Sequence, residues 1–142
     1  MKKLIIALSS VVLVGTVAFA DPHEEREDLM KSFGKALGSI APMAQGKADF
    51  DAAKVQSALA ELNTQVKKFD VAVLFPEGSA TKGTSPKIWE NMDDFKAHVA
   101  KLQADVGEAA AAPAMDIAAL QAQLGKIGGD CGSCHEVYRL KD

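Results

Sequence analysis

The chain holds only two cysteines among its 142 residues, so no disulfide framework can carry the fold. The two are also too close in sequence for a bridge between them to staple much, because the loop it would close is tiny. No basic patch is present to track a phosphate backbone, which removes nucleic acid as a partner. No stretch alternates apolar and polar residues with period two, and no internal repeat is visible, so sheet and solenoid architectures are set aside. Nothing resembles a general acid–base pair, and the sequence therefore offers no enzyme.

Only one apolar run could concern a membrane. It extends from Leu4 to Val17, and Ser9, Ser10, Gly15 and Thr16 interrupt it. Lys2 and Lys3 precede it and Ala18-Phe19-Ala20 follow it, the pattern of a cleaved secretory signal peptide rather than a stable membrane anchor. Residues 1–20 are read as that signal and residues 21–142 as one exported domain, placed in the periplasm. Loss of the two lysines takes the formal net charge from −3 to about −5. A mildly acidic domain is expected.

From Asp21 onward the apolar spacing is helical. Asp21-Pro22-His23-Glu24 opens a first helix, with a capping Asp and Pro at the first position. Its apolar stripe is Met30, Phe33, Leu37, Ile40 and Ala44, and Gly46 ends it. A second helix covers about Asp51 to Phe69, with Val55, Leu59, Leu62, Val66 and Phe69 inward. Leu74 to Ser85, with Pro76, Gly78 and Gly83, reads as a long loop. Ser85-Pro86 opens a third helix, with Ile88, Met92, Phe95, Val99, Leu102 and Val106 inward, and Pro113 stops it. Asp116 caps the last, whose stripe is Ile117, Leu120, Leu124, Ile127, Cys131, Cys134 and Tyr138. The fold class is all-α, an antiparallel four-helix bundle, a fold that places cofactors in its core.

Both cysteines thus fall on the inward stripe of the last helix, within Cys131-Gly132-Ser133-Cys134-His135. C-x-x-C-H is the attachment signature of a c-type haem. Two thiols form thioethers and the adjacent His supplies the axial imidazole. In a helix, positions three and four apart share a face, so sulfur, sulfur and nitrogen are presented together. A thioredoxin-like redox pair would need a βαβ context, a zinc site needs a fourth ligand, and a disulfide leaves His135 unexplained. One covalently attached haem c with its iron is the expected cofactor.

The opposite side of the iron must come from another helix. Met30 on the first helix is either a sixth ligand, giving a Met/His iron suited to electron transfer, or a space-filling core residue. Arg26, one turn earlier, can pair with a haem propionate or remain a solvated member of an acidic run. Arg139, one turn beyond the motif, can lie against His135 or fray into solvent. His98 sits one step off the stripe and His23 in a fraying first turn.

On these motifs the chain resembles cytochrome c′ and the class II cytochromes c over its whole mature length. The resemblance rests on Cys131 to Arg139, on Leu74-Phe75-Pro76-Glu77-Gly78, on Pro86-Lys87-Ile88-Trp89 and on Glu25 to Met30. It implies a haem near one end of the bundle. Arg26 would stand on the propionate side, Met30 at the distal position and Arg139 beside the proximal His135. Most cytochromes c′ are five-coordinate and bind NO or CO, whereas low-spin relatives have a Met on the iron. The expected function is single-electron transfer with a periplasmic redox partner. The alternative is a five-coordinate gas-binding protein that protects against nitrosative stress. A homodimer through the first two helices is a further implication of the resemblance.

Overall fold

Four aspartates mark where helices begin, since each carboxylate takes an amide that the first turn leaves without a partner. Asp21 accepts from the His23 amide, Asp51 from Lys54, Asp70 from Ala72 and Val73, and Asp116 from Ala119. The computed structural model describes residues 21–140, so the expected signal peptide at residues 1–20 lies outside the described residues. Four long helices form α1 (Pro22–Ala44), α2 (Ala52–Val66), α5 (Met92–Ala111) and α6 (Ile117–Tyr138). Two single turns, α3 (Val71–Leu74) and α4 (Lys87–Glu90), lie between α2 and α5.

Helix α1 packs on α2 and α6, α2 on α5, and α5 on α6, closing a four-helix ring. No helix among the described residues is long and apolar enough to cross a membrane. Gly46 ends α1 at a φ of 68°. Its amide donates to the Met43 carbonyl, and the Lys47 amide donates to Pro42 at 2.8 Å. Both bonds need the chain to turn left-handed at Gly46, where a side chain would be strained.

Two helix limits differ from the sequence expectation. Helix α2 stops at Val66 rather than Phe69, because Gln103 of α5 donates to both the Val66 and the Phe69 carbonyls. The expected third helix is broken at Asn91 (φ −133°, ψ 50°), which separates α4 from α5. The break lets α4 turn onto the loop. Ile88 is buried there, and the Trp89 indole donates to the Phe75 carbonyl at 3.3 Å.

The buried line of α1 is Arg26, Leu29, Phe33, Ala36, Ile40 and Met43. Met30, Leu37 and Ala44, expected inward, flank that line half-buried. On α6, Leu120, Ile127, Asp130 and Tyr138 are buried, Leu124, Cys131 and Cys134 are half-buried, and Ile117 is exposed. The core of the ring is Val55, Leu59, Leu62 and Val66 of α2 with Ile40, Val99, Val106 and Leu120. Leu59 has no exposed surface. Leu59→Ala is expected to lower unfolding stability by about 3 kcal/mol, read as a fall in the urea midpoint with an unchanged slope.

Lysines also stitch α5 to α6. Lys101 bonds Asp105 and the buried Asp130, and Lys126 bonds Asp105 and Glu108. Hydrogen bonds from Lys101 and Lys126 hold the Asp105 carboxyl down to about 2. Its contribution to folding is therefore complete above its ordinary pKa and is lost as pH falls toward 2.

Candidate functional site

Helix α6 ends in the sequence that carries the chemistry. Cys131 and Cys134 are one turn apart, free of disulfide, half-buried and packed against the core. His135 follows on an exposed part of the same helix. Burial raises the Cys131 thiol, with Asp130 adding to the effect. Burial, then Cys131 and Asp94, push the Cys134 thiol up to about 11. Both sulfurs are thus held as neutral thiols, the reverse of the lowered thiol that disulfide exchange uses. Partial desolvation, then the charge of Arg139, lower the His135 pKa. That keeps the imidazole neutral, the form that binds a metal. Two thiols and a neutral imidazole beside half-buried apolar side chains are a donor set that fits a covalently attached haem.

Tyr138, one turn beyond Cys134, is buried and anchors the helix end. Its ring lies 5.0 Å from that of Phe95, and the aromatic contacts continue through Phe75 and Phe69 to Phe33. Its hydroxyl donates to Asp94 at 2.5 Å. Burial and that carboxylate push the phenol up to about 12.

The loop between α3 and α4 is tied to both ends of the site. On one side stands Arg26, only 6% exposed despite its place in an acidic run. One terminal nitrogen donates to the Leu74 carbonyl (2.6 Å) and to Ser79 Oγ (3.2 Å). The other donates to the Ser79 carbonyl (3.0 Å) and to Thr81 Oγ1 (3.2 Å). The guanidinium also lies over the Phe75 ring at 4.9 Å. On the other side Ser85 donates to the Tyr138 carbonyl, Leu140 donates to Gly83, and Thr84 pairs with Arg139 in an antiparallel bridge. The loop is therefore a strap between the start of α1 and the end of α6.

The sequence-predicted residues divide accordingly. Cys131, Cys134 and His135 stand together on α6. Arg139 is close enough for its charge to act on His135. Arg26 is buried, with all four terminal N–H groups engaged by the strap. Met30 is half-buried on α1, which packs on α6. His23, expected to fray, contacts Thr81 Oγ1 through Nδ1 at 3.2 Å and Glu27 through Nε2 at 3.4 Å.

Sequence reasoning missed four participants. Ser79 and Thr81 hold Arg26, and only their place in the long loop hinted at a role. Asp94 receives Tyr138, and its signal is the spacing of one helical turn from His98. Asp130 is a buried carboxylate beside Cys131, whose partner Lys101 is 29 residues away and carries no local signature.

A sequence profile describing cytochrome c′ matches residues 21–139. The chain is 40% identical over 135 residues to cytochrome c-556 of Agrobacterium fabrum, covering 94% of this chain and 91% of that one. It is 38% identical over 147 residues to cytochrome c′ of Rhodopseudomonas palustris, covering 99% of each. A solved cytochrome c′ structure from Rhodopseudomonas palustris superposes with a TM-score of 0.78 at 36% identity, over 87% of this chain and 99% of that one. With the Cys-x-x-Cys-His segment on α6 and the profile spanning the described domain, this chain belongs to the cytochrome c′ family, haem proteins of four-helix fold with a covalently attached haem c.

Proposed function

We propose that the chain is a periplasmic carrier of single electrons rather than an enzyme. Cys131 and Cys134 would hold the haem through thioethers, and His135 and Met30 would ligate its iron. The observation that carries the reading is Met30. A thioether sulfur stands half-buried on α1, the helix packed against the one that bears Cys131, Cys134 and His135, and the family resemblance implies the distal position for it. When bound, the haem supplies a one-electron ferric/ferrous couple, and a Met/His pair raises its potential.

The protein's own residues then have separable tasks. His135 is kept neutral and able to ligate. Met30, Leu37 and Leu124 present half-buried apolar surface that excludes water. Arg26 fixes the strap, and Arg139 places positive charge beside His135. The raised thiols give no support to disulfide exchange.

Met30→Leu tests the assignment. The ferrous variant is expected to change from a CO-insensitive low-spin spectrum to a high-spin one that CO shifts. A wild-type spectrum that already responds to CO would assign Met30 to shielding instead.

The second reading, gas binding at an open distal face, is favoured by a different observation. Structural neighbours at a TM-score of 0.75 and 28% identity are nitric oxide complexes of cytochrome c′ from Alcaligenes xylosoxidans.

A further inference from the structure

His98 of α5 is not used by the reading above, and its surroundings are specific. Its Nε2 lies 3.6 Å from Asp94 Oδ2. Its Nδ1 lies 3.5 Å from Ser133 Oγ. The Ser133 hydroxyl donates to the Asp130 carbonyl at 3.2 Å, so a lone pair of that oxygen faces the ring. The same Asp94 oxygen accepts from Tyr138. Each ring nitrogen therefore faces an acceptor. A neutral imidazole has one N–H and can satisfy one of them, whereas an imidazolium satisfies both.

The location is as telling as the chemistry. Ser133 lies between the two attachment cysteines, so a proton on His98 places a positive charge against the segment that bears the haem. The ring is also 5.8 Å from that of Tyr138, the residue that anchors the helix end. The titratable groups that face the ring are Asp94 on its own helix α5 and Tyr138 on α6. Asp94 is the carboxylate among them that touches the ring, and Tyr138 holds it in place. With 23% of its side chain exposed, His98 can exchange protons with solvent.

We propose that His98 is a redox-linked proton site, taking up a proton from water as the haem takes up an electron. The electron comes from the one-electron donor that reduces the protein. The proton forms a new N–H bond on the ring, and both are returned on oxidation. Reduction removes one positive charge from the iron, which stabilises the nearby imidazolium. A positive charge removed from the haem side favours the proton on the ring by simple Coulomb attraction. The imidazolium is therefore favoured more in the ferrous than in the ferric protein. The reduction potential falls as pH rises between the ferric and the ferrous midpoints of the ring and levels off on either side. Ser133 and Asp94 act as positioning residues.

The inference rests on the haem reading but not on the sixth ligand, because either coordination cycles between the same two charges. The test uses holoprotein. Imidazole resonances of His98 are titrated by NMR in the ferric and the ferrous states, and the potential is measured from pH 5 to 9 for wild type and His98→Asn. A His98 midpoint that lies higher in the ferrous state, together with loss of the corresponding slope in the variant, is the expected result. Equal midpoints in the two states, or a slope that survives in His98→Asn, would overturn it. The wild-type NMR titration decides the matter if the variant does not fold. Failure of the underlying haem reading shows separately, as the absence of a haem absorption band.

Discussion

Replacing both attachment cysteines, Cys131→Ser with Cys134→Ser, is expected to abolish covalent haem completely while the helical content of the chain stays near that of the unloaded protein. Both sulfurs are half-buried and neither holds another element by a bond, so serine of nearly the same size leaves the packing of α6 in place. The chemistry does not survive, since a serine hydroxyl cannot replace the thiol that forms a thioether to the haem. Denaturing electrophoresis with a haem stain, on protein expressed with the cytochrome c maturation machinery, reads the result directly. The two single variants should retain haem through one thioether with reduced yield. Haem that remains attached in the double variant after denaturation would place the linkage elsewhere and break the account of α6.

Arg26→Ala should be the most destabilising single change at the strap. The buried Leu74 carbonyl and the Ser79 carbonyl each lose a charged donor. An unsatisfied buried group costs about 1–3 kcal/mol, and the Phe75 ring loses its stacked cation as well. A total loss of about 3 kcal/mol is expected in urea unfolding. Faster amide exchange at Thr84 and Ser85, the residues that join the strap to α6, should accompany it. Arg26→Lys should recover little, because one ammonium group cannot reproduce the planar fork that reaches Leu74, Ser79 and Thr81 together. Full stability in Arg26→Lys would show that charge, and not geometry, holds the strap.

Much of this architecture was legible in the sequence because helices announce themselves by period and cap. Asp21 and Asp116 cap the helices they were expected to cap, and Gly46 ends α1 in the left-handed conformation that only glycine adopts without strain. The Cys-x-x-Cys-His segment was legible for a similar reason, since two sulfurs and an imidazole on one helix face require a fixed spacing. What escaped was long-range. Nothing local says that Gln103 will cap the carbonyls of α2 and end that helix at Val66, or that Asn91 will break a helix so that Trp89 can reach Phe75. Periodicity also cannot separate a side chain buried against protein from one left half-buried at a cofactor face. Met30 and Leu37 were placed on the same stripe as Phe33 and Ile40, yet only the latter two are buried. Arg26 shows the opposite failure, for a charged residue among Glu24, Glu25, Glu27 and Asp28 reads as solvated until the strap that covers it is seen.

The central claim is a haem c held by α6 with its iron closed by Met30 and cycling one electron. An absorption spectrum of dithionite-reduced holoprotein, recorded before and after adding CO, tests it most directly. The account predicts a sharp, split low-spin band that CO leaves unchanged. A broad high-spin spectrum that shifts on CO addition would contradict it, moving Met30 from ligand to shield and the protein from electron carrier to gas binder.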